Sequence, residues 1–397
     1  MTDFDWGPLL SGRAAALQPS PFVDLEPIRQ VEDLIFFAGG TPPPERVPVE
    51  RLRQASADVW EVARDIAVYG ESYGYEELRD LIAERMARRG VVTDRERILI
   101  TNGSQQGLDL AARALFDPGD RVVVEGPTYF GALQAFDAYQ VEYLVAPVDA
   151  HGLIPEKLAE ILAANERVKA LYTIPSFQNP TGANISDERR QQILQITRDA
   201  GVAVIEDDPY GELAFDGRPT RPLAADDGNV IYLGTFSKTI MPALRIGWMV
   251  YPAALAPPLL DGKEAVDIQS DRFVQRMIVG AAQNGWLDQH IAESNAAYAE
   301  RAQIMFAALE REMPPGVEWT TPAGGFFTWL TMNGGPTADE LLPTAAKHRV
   351  GYLPGSFFYP DRRKIPALRL GFTTLSAERI EEGVHRLGKA IREASPA

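Results

Sequence analysis

Thr235-Phe236-Ser237-Lys238-Thr239, followed by Pro242-Ala243-Leu244-Arg245-Ile246-Gly247, sets an amine, small hydroxyls and a guanidinium in close succession. The amine of Lys238 can form an imine with an aldehyde. The hydroxyls and Arg245 can hold a phosphate. A solvated lysine in an ordinary loop fits the same residues. Upstream, Glu206-Asp207-Asp208-Pro209-Tyr210 offers a carboxylate that can keep a ring nitrogen protonated and a phenol that can bond a ring oxygen. An acidic turn closing a strand has the same composition. In Phe177-Gln178-Asn179-Pro180-Thr181-Gly182 the amide of Asn179 can donate to a ligand oxygen, or the segment is a plain tight turn. Thr101-Asn102-Gly103-Ser104-Gln105-Gln106-Gly107 can bind phosphate on backbone N–H groups at a helix start, or serve only as a helix cap through Asn102 or Ser104. Tyr129 can stack on a planar ring or be a buried structural tyrosine.

Each segment follows a short apolar run rich in β-branched residues. These runs are 97–101, 121–125, 141–145, 169–173, 202–206, 230–234 and 246–250. Helical patterns at 108–115 and 188–200 separate some of them, which implies an α/β fold with a largely parallel sheet. Ligand sites in such sheets form beyond the carboxyl ends of the strands. In chain order the strand-end groups are a phosphate turn, a stacking aromatic, an oxygen donor, a ring-nitrogen carboxylate and an imine lysine. A phosphorylated pyridine aldehyde needs that set, and the bland readings must all hold together to remove it.

The remaining chain frames this core. Residues 1–47, rich in Pro and turn residues, read as an extended arm contributing to a smaller domain. A large domain is expected over 48–282 and a small α+β domain over 283–397. Residues 50–90 have a helical pattern, with Leu78, Leu81 and Ile82 on one face, and a long helical stretch over 268–311 would link the domains. Strands are expected at 326–330 and 368–372, with a helix after Ser376.

A net charge of -16 disfavours nucleic acid and anionic membranes as partners. With no cysteine, thiolate metal sites, disulfides and cysteine nucleophiles are excluded, and no metal is expected. Met1-Thr2-Asp3-Phe4-Asp5 lacks a signal-peptide pattern and no run of about 18 apolar residues exists, so the expected location is cytoplasmic.

Gly-Ser-Gln-Gln, Gln-Asn-Pro-Thr-Gly, Glu-Asp-Asp-Pro-Tyr and Phe-Ser-Lys with downstream Leu-Arg-Ile-Gly resemble the class I and II aminotransferases of pyridoxal-phosphate (PLP) fold type I. The resemblance is greatest to the α-aminoadipate/kynurenine and aromatic subgroup, and runs from Phe37 to Leu370. It implies a mixed, mostly parallel seven-stranded sheet between helices plus the smaller domain, and pyridoxal 5'-phosphate as cofactor. Lys238 would be the Schiff-base and proton-shuttling lysine. Asp207 would pair with the ring nitrogen, since Tyr210 follows it by three residues as in the family. Asn179 and Tyr210 would contact the ring oxygen and Tyr129 would stack on the ring. Ser104, Gln105, Thr235, Ser237 and Arg245 would hold the phosphate. Tyr69 would reach the phosphate of the neighbouring subunit in a homodimer. Arg369, with Gly40 and Asn179, would bind the substrate, the guanidinium gripping its α-carboxylate. Departures include Thr235 for a common Ser, Ala243 for a common Gly, and Ser176-Phe177 for a frequent Asn-Tyr. The arm from Arg13 to Pro27 lacks the family's usual pattern.

The activity so implied is ping-pong transfer of an amino group from an L-amino acid to a 2-oxo acid such as 2-oxoglutarate. Phe22, Phe177 and Phe358 point to an apolar or aromatic side chain. The same cofactor residues also serve decarboxylases, lyases and O2-dependent oxidases, which stand as the alternative. A ligand-sensing regulator would need a basic DNA-binding module, for which an acidic chain with motifs near its start has no place.

Overall fold

The computed structural model describes residues 4–394. Met1–Asp3, part of the opening read above for a signal peptide, lie outside the described residues. All seven expected runs are strands: Ile98–Thr101, Arg121–Gly126, Glu142–Asp149, Val168–Thr173, Ala203–Asp207, Ile231–Thr235 and Gly247–Val250. Their sheet has eight strands rather than seven, because Gly152–Leu153 folds back antiparallel onto the end of Glu142–Asp149. A two-residue strand is too short to carry a pattern. Gly152, at φ +84°, makes the return possible.

Burial on both faces explains why the central residues of most of these strands are apolar without alternation. In Ile98–Thr101, Ile98 and Ile100 enter the core with Leu78, Ile82 and Met277, while Leu99 enters the opposite core with Leu108, Leu110 and Phe136. Helices on both faces leave no polar side for the sheet. Ile231–Thr235, Ala203–Asp207, Val168–Thr173, Arg121–Gly126 and Glu142–Asp149 pair in parallel in that spatial order. Gly247–Val250 runs antiparallel between Ile98–Thr101 and Ile231–Thr235. Every segment singled out for chemistry therefore leaves the same edge of the sheet.

The helical stretch expected over 268–311 is broken. It follows Ala256–Asp267 and resolves into Arg272–Ala282 and Trp286–Glu312. Ile268 (φ 63°) and the pair Asn284-Gly285 (φ 60° and 72°) turn the chain, and the Asp271 carboxylate caps the second helix at the Val274 N–H. The 27-residue helix is still a spine: Leu287, Ile291 and Tyr298 belong to the larger core, while Ala302, Met305 and Leu309 belong to the smaller one with Leu330, Leu368 and Val384.

The smaller domain carries a four-stranded antiparallel sheet ordered Val317–Trp319, Phe327–Met332, Ala367–Gly371, Leu353–Pro354, covered by Ala338–Lys347 and Ala377–Ala394. The arm is not simply extended. Ser11 and Ser20 cap short helices at Gly12–Ala16 and Pro21–Asp24, Leu25 is buried against Leu353 and Phe358, and Ile35–Phe36 pairs in parallel with Val350–Gly351.

Candidate active site

The phosphate turn is built by what its helix lacks. The residue capping Ser104–Leu115 is Gly103, at φ 75°, and no side chain caps the helix. The Gln106 N–H bonds the Gly103 carbonyl at 3.2 Å, and the N–H groups of Ser104 and Gln105 are left for an anion, so the simple capping role does not hold. The Asn102 amide instead donates to Asp267 Oδ2 at 2.5 Å. Arg245, itself in a left-handed conformation, donates from Nη2 to the Asn102 carbonyl at 3.1 Å. A Cβ on Gly103 would stand 2.4 Å from that nitrogen. Thr235 and Ser237 complete the group, the Thr235 hydroxyl donating to Ser237 Oγ at 2.9 Å. The Gln105 side chain is turned toward the Gly131 carbonyl.

At the next strand ends the two neighbouring acids separate. Asp207 Oδ2 accepts from the buried Tyr172 hydroxyl at 2.8 Å, and Oδ1 is buried without a partner. Burial raises the Asp207 carboxyl to about 7, against the lowering pull of the Tyr172 bond. Asp208 turns away into an ion pair with Arg89. Lys238 Nζ donates to the Gly40 carbonyl at 2.7 Å. Burial, then the charge of Arg369, lowers its amine to about 8. Burial pushes the Tyr129 phenol up to about 12, and raises that of Tyr210 further.

Arg369 is 3 % exposed. It donates to Asn179 Oδ1 at 2.8 Å and to the Ala38 carbonyl at 2.9 Å, and its carbon lies 3.9 Å from the Phe327 ring centroid. No carboxylate pairs with it among the described residues, Nε has no partner, and burial lowers the group to about 10. A buried guanidinium facing a cavity without a counter-ion is costly unless an anion arrives.

These groups line one cavity of about 270 Å3. Every expected site residue lines it except Tyr69, which is 78 % exposed on a loop held by Gln269 and Arg272. Of the aromatics expected around the side chain, only Phe22 lines the cavity. Phe177 is buried in the larger core and Phe358 lies behind Phe130, at 5.9 Å between ring centroids. Phe130, Ile174 and Phe327 form the walls instead, and Tyr172 orients Asp207. Their signal was weak: an aromatic inside an apolar run is normally core.

The fit to pyridoxal 5'-phosphate follows from the leftover atoms. Asp207 Oδ1 lacks a donor, as a ring N–H would supply. Lys238 offers an amine of lowered basicity to an aldehyde. The uncapped helix start and Arg245 could hold a phosphate.

The profile of the family described as aminotransferase class I and II matches residues 32–387. Aromatic-amino-acid aminotransferase 1 of Thermococcus litoralis is 38% identical, over 98% of this chain and 95% of its own. The crystal structure of the kynurenine aminotransferase of Pyrococcus horikoshii is similar at a TM-score of 0.93 and 38% identity, covering 99% of both chains. That of LysN, the α-aminoadipate aminotransferase of Thermus thermophilus complexed with N-(5'-phosphopyridoxyl)-L-leucine, has a TM-score of 0.90 and 34% identity over 98% of this chain and 99% of its own.

Proposed function

The chain belongs to the class I and II aminotransferases, and from that membership we propose that it moves the amino group of an L-amino acid with an apolar or aromatic side chain to a 2-oxo acid such as 2-oxoglutarate, in ping-pong fashion. The observation that carries this reading is the pairing, in one cavity, of a lysine of lowered basicity with a buried arginine that has no counter-ion among the described residues. The walls Phe22, Phe130, Ile174 and Phe327 favour the apolar side chain.

When bound, pyridoxal 5'-phosphate supplies an aldehyde that condenses with amines and a ring that takes up electrons. Ser104, Gln105, Thr235, Ser237 and Arg245 would hold its phosphate. Tyr129 would stack on its ring, and Asp207 would hold the ring nitrogen protonated. Asn179 and Tyr210 would contact the ring oxygen. Arg369 binds the α-carboxylate of the substrate by a bidentate fork. That contact, with Gly40 and Asn179, directs the α-hydrogen toward Lys238. The neutral Nζ of Lys238 takes up the α-proton and returns it elsewhere, the general acid–base work of the cycle.

The exposed apolar residues Trp6 and Leu9 of the arm, Trp60 near the end of the helix Val49–Glu61, and Val68 and Ile268 favour a homodimer with shared sites. Tyr69 would then reach the phosphate held by the partner subunit. No helix among the described residues is long and apolar enough to cross a membrane, and a cytoplasmic location is the accompanying reading. The arm 1–47 and the span 283–397 form the small domain in this proposal, and 48–282 the large one, with the first half of the helix Trp286–Glu312 packed on the larger core.

Borohydride reduction of the PLP-loaded protein, followed by peptide mass analysis, tests the covalent anchor. The mass of the reduced cofactor is expected on Lys238, and Lys238→Ala is expected to lose turnover by about a thousandfold or more. Turnover retained by Lys238→Ala would overturn the mechanism.

A further inference from the structure

Two adjacent carboxylates at a strand end invite a division of labour. Asp207 lines the cavity and keeps Oδ1 without a partner among the described residues, whereas Asp208 spends every acceptor inside the protein. Oδ1 of Asp208 accepts from the Gly211 N–H at 2.9 Å. Oδ2 accepts from the Tyr232 hydroxyl at 3.0 Å and from Arg89 Nη2. Arg89 also donates to the Tyr232 hydroxyl at 2.9 Å and to the Thr220 carbonyl at 3.0 Å. The Thr220 N–H returns to the Gly211 carbonyl at 2.8 Å. Arg89, Asp208 and Tyr232 are all buried. They come from the end of the helix Glu76–Arg88, from the turn itself and from the strand Ile231–Thr235.

The geometry points to Arg89, Asp208 and Tyr232 as a positioning unit that holds the turn 207–211, and with it the Asp207 carboxylate and the Tyr210 phenol, in register with the cofactor. The turn is clamped at Asp208, between those two residues, and at Gly211, directly after them. A Cβ at Gly211 would stand 2.1 Å from Arg89 Nη2, so the guanidinium packs directly under the backbone. Asp208 also adds a negative charge beside Asp207. The other titratable groups around Asp207 are Tyr172, Tyr129, Tyr210, Glu125 and Lys238. Tyr210 is carried by the turn itself, and none of the other four bonds to the turn backbone as Asp208 does. This inference rests on the aminotransferase reading, in which Asp207 serves the ring nitrogen.

A stability role alone would lower Tm and leave the cofactor's electronics untouched. The test is the pH midpoint of the visible absorption band of the PLP-loaded holoenzyme, with kcat and KM for an aromatic amino acid, in wild type, Asp208→Asn and Tyr232→Phe. Asp208→Asn removes a negative charge and leaves Arg89 unbalanced. The midpoint is expected to fall by about half a unit or more. kcat should fall about tenfold with KM within about twofold, as expected for misplaced reacting groups. Tyr232→Phe keeps the ion pair and the packing, and is expected to lower kcat about threefold by loosening the clamp. If the variants show lowered Tm but wild-type midpoints and kcat, the inference is overturned. Should Asp208→Asn fail to fold, Tyr232→Phe decides alone, an unchanged kcat and midpoint again overturning it. A wild-type protein with no band would instead refute the aminotransferase reading.

Discussion

Arg369 and Lys238 illustrate how burial makes ordinary side chains reactive. Arg369 has lost water and gained amide, carbonyl and ring contacts, but no negative charge among the described residues. A lysine there would keep the charge and lose the fork that matches a carboxylate. Arg369→Lys should lower kcat/KM for amino acids about a hundredfold. Steady-state kinetics check this, and a change under threefold would speak against the carboxylate contact. Lys238 makes a second residue-scale prediction. An amine captures an aldehyde only when neutral, and burial has lowered this one from 10.5 to about 8. Capture of added PLP by the apoprotein should therefore accelerate as pH rises through about 8 and level off above it. Stopped-flow growth of the visible band would show the midpoint. A midpoint near the ordinary lysine value would contradict the account. At this scale the sequence was informative for groups at strand ends, where chemistry and turn signals coincide. It said little about Tyr172, whose contact with Asp207 depends on the register that sets Tyr172 opposite Ile205, two residues before the acid on the same face.

Elements decide where those residues meet. The strand-end turns were legible because short β-branched runs and Gly, Pro and Asn punctuation mark them locally. The hairpin strand Gly152–Leu153 and the breaks in the 268–311 stretch were not. Two residues carry no period, and an amphipathic pattern runs on through Ile268 and Gln283-Asn284-Gly285 although the backbone turns there. The Arg89–Asp208 pair spans 119 residues, which no local pattern can announce. Gly103 shows an element-scale constraint that can be tested. It combines φ 75° with contact to Arg245. Gly103→Ala strains the backbone by about 1 kcal/mol or more and displaces the arginine from the phosphate turn. PLP affinity measured by titration of the apoprotein should fall about tenfold, with far smaller change in the folded circular dichroism spectrum. Unchanged affinity would remove Gly103 and Arg245 from the phosphate site.

Across the whole molecule, three carboxyls, Glu125, Glu206 and Asp207, are buried in the large domain and each is raised to about 7. Their ordinary values are 4.5 for the glutamates and 3.8 for the aspartate. Between those values and about 7 the folded apoprotein binds protons that the unfolded chain has released. Stability from these groups is therefore greatest below pH 4 and declines as pH rises toward 7, by on the order of 1 kcal/mol per unit for each group. Asp207→Asn should flatten this decline in the apoprotein, as urea unfolding at pH 5 and pH 7 would show. Identical slopes in the two proteins would contradict the placement of Asp207. The central claim, amino-group transfer through a cofactor held in this cavity, is tested most directly by the visible spectrum of the purified, PLP-loaded protein. L-phenylalanine is added first, then 2-oxoglutarate, and the phenylpyruvate formed is quantified. The account predicts a visible band that bleaches with one equivalent of phenylpyruvate per site and returns with 2-oxoglutarate. Absence of a band even with added PLP, or bleaching that yields no 2-oxo acid and does not reverse, would contradict it.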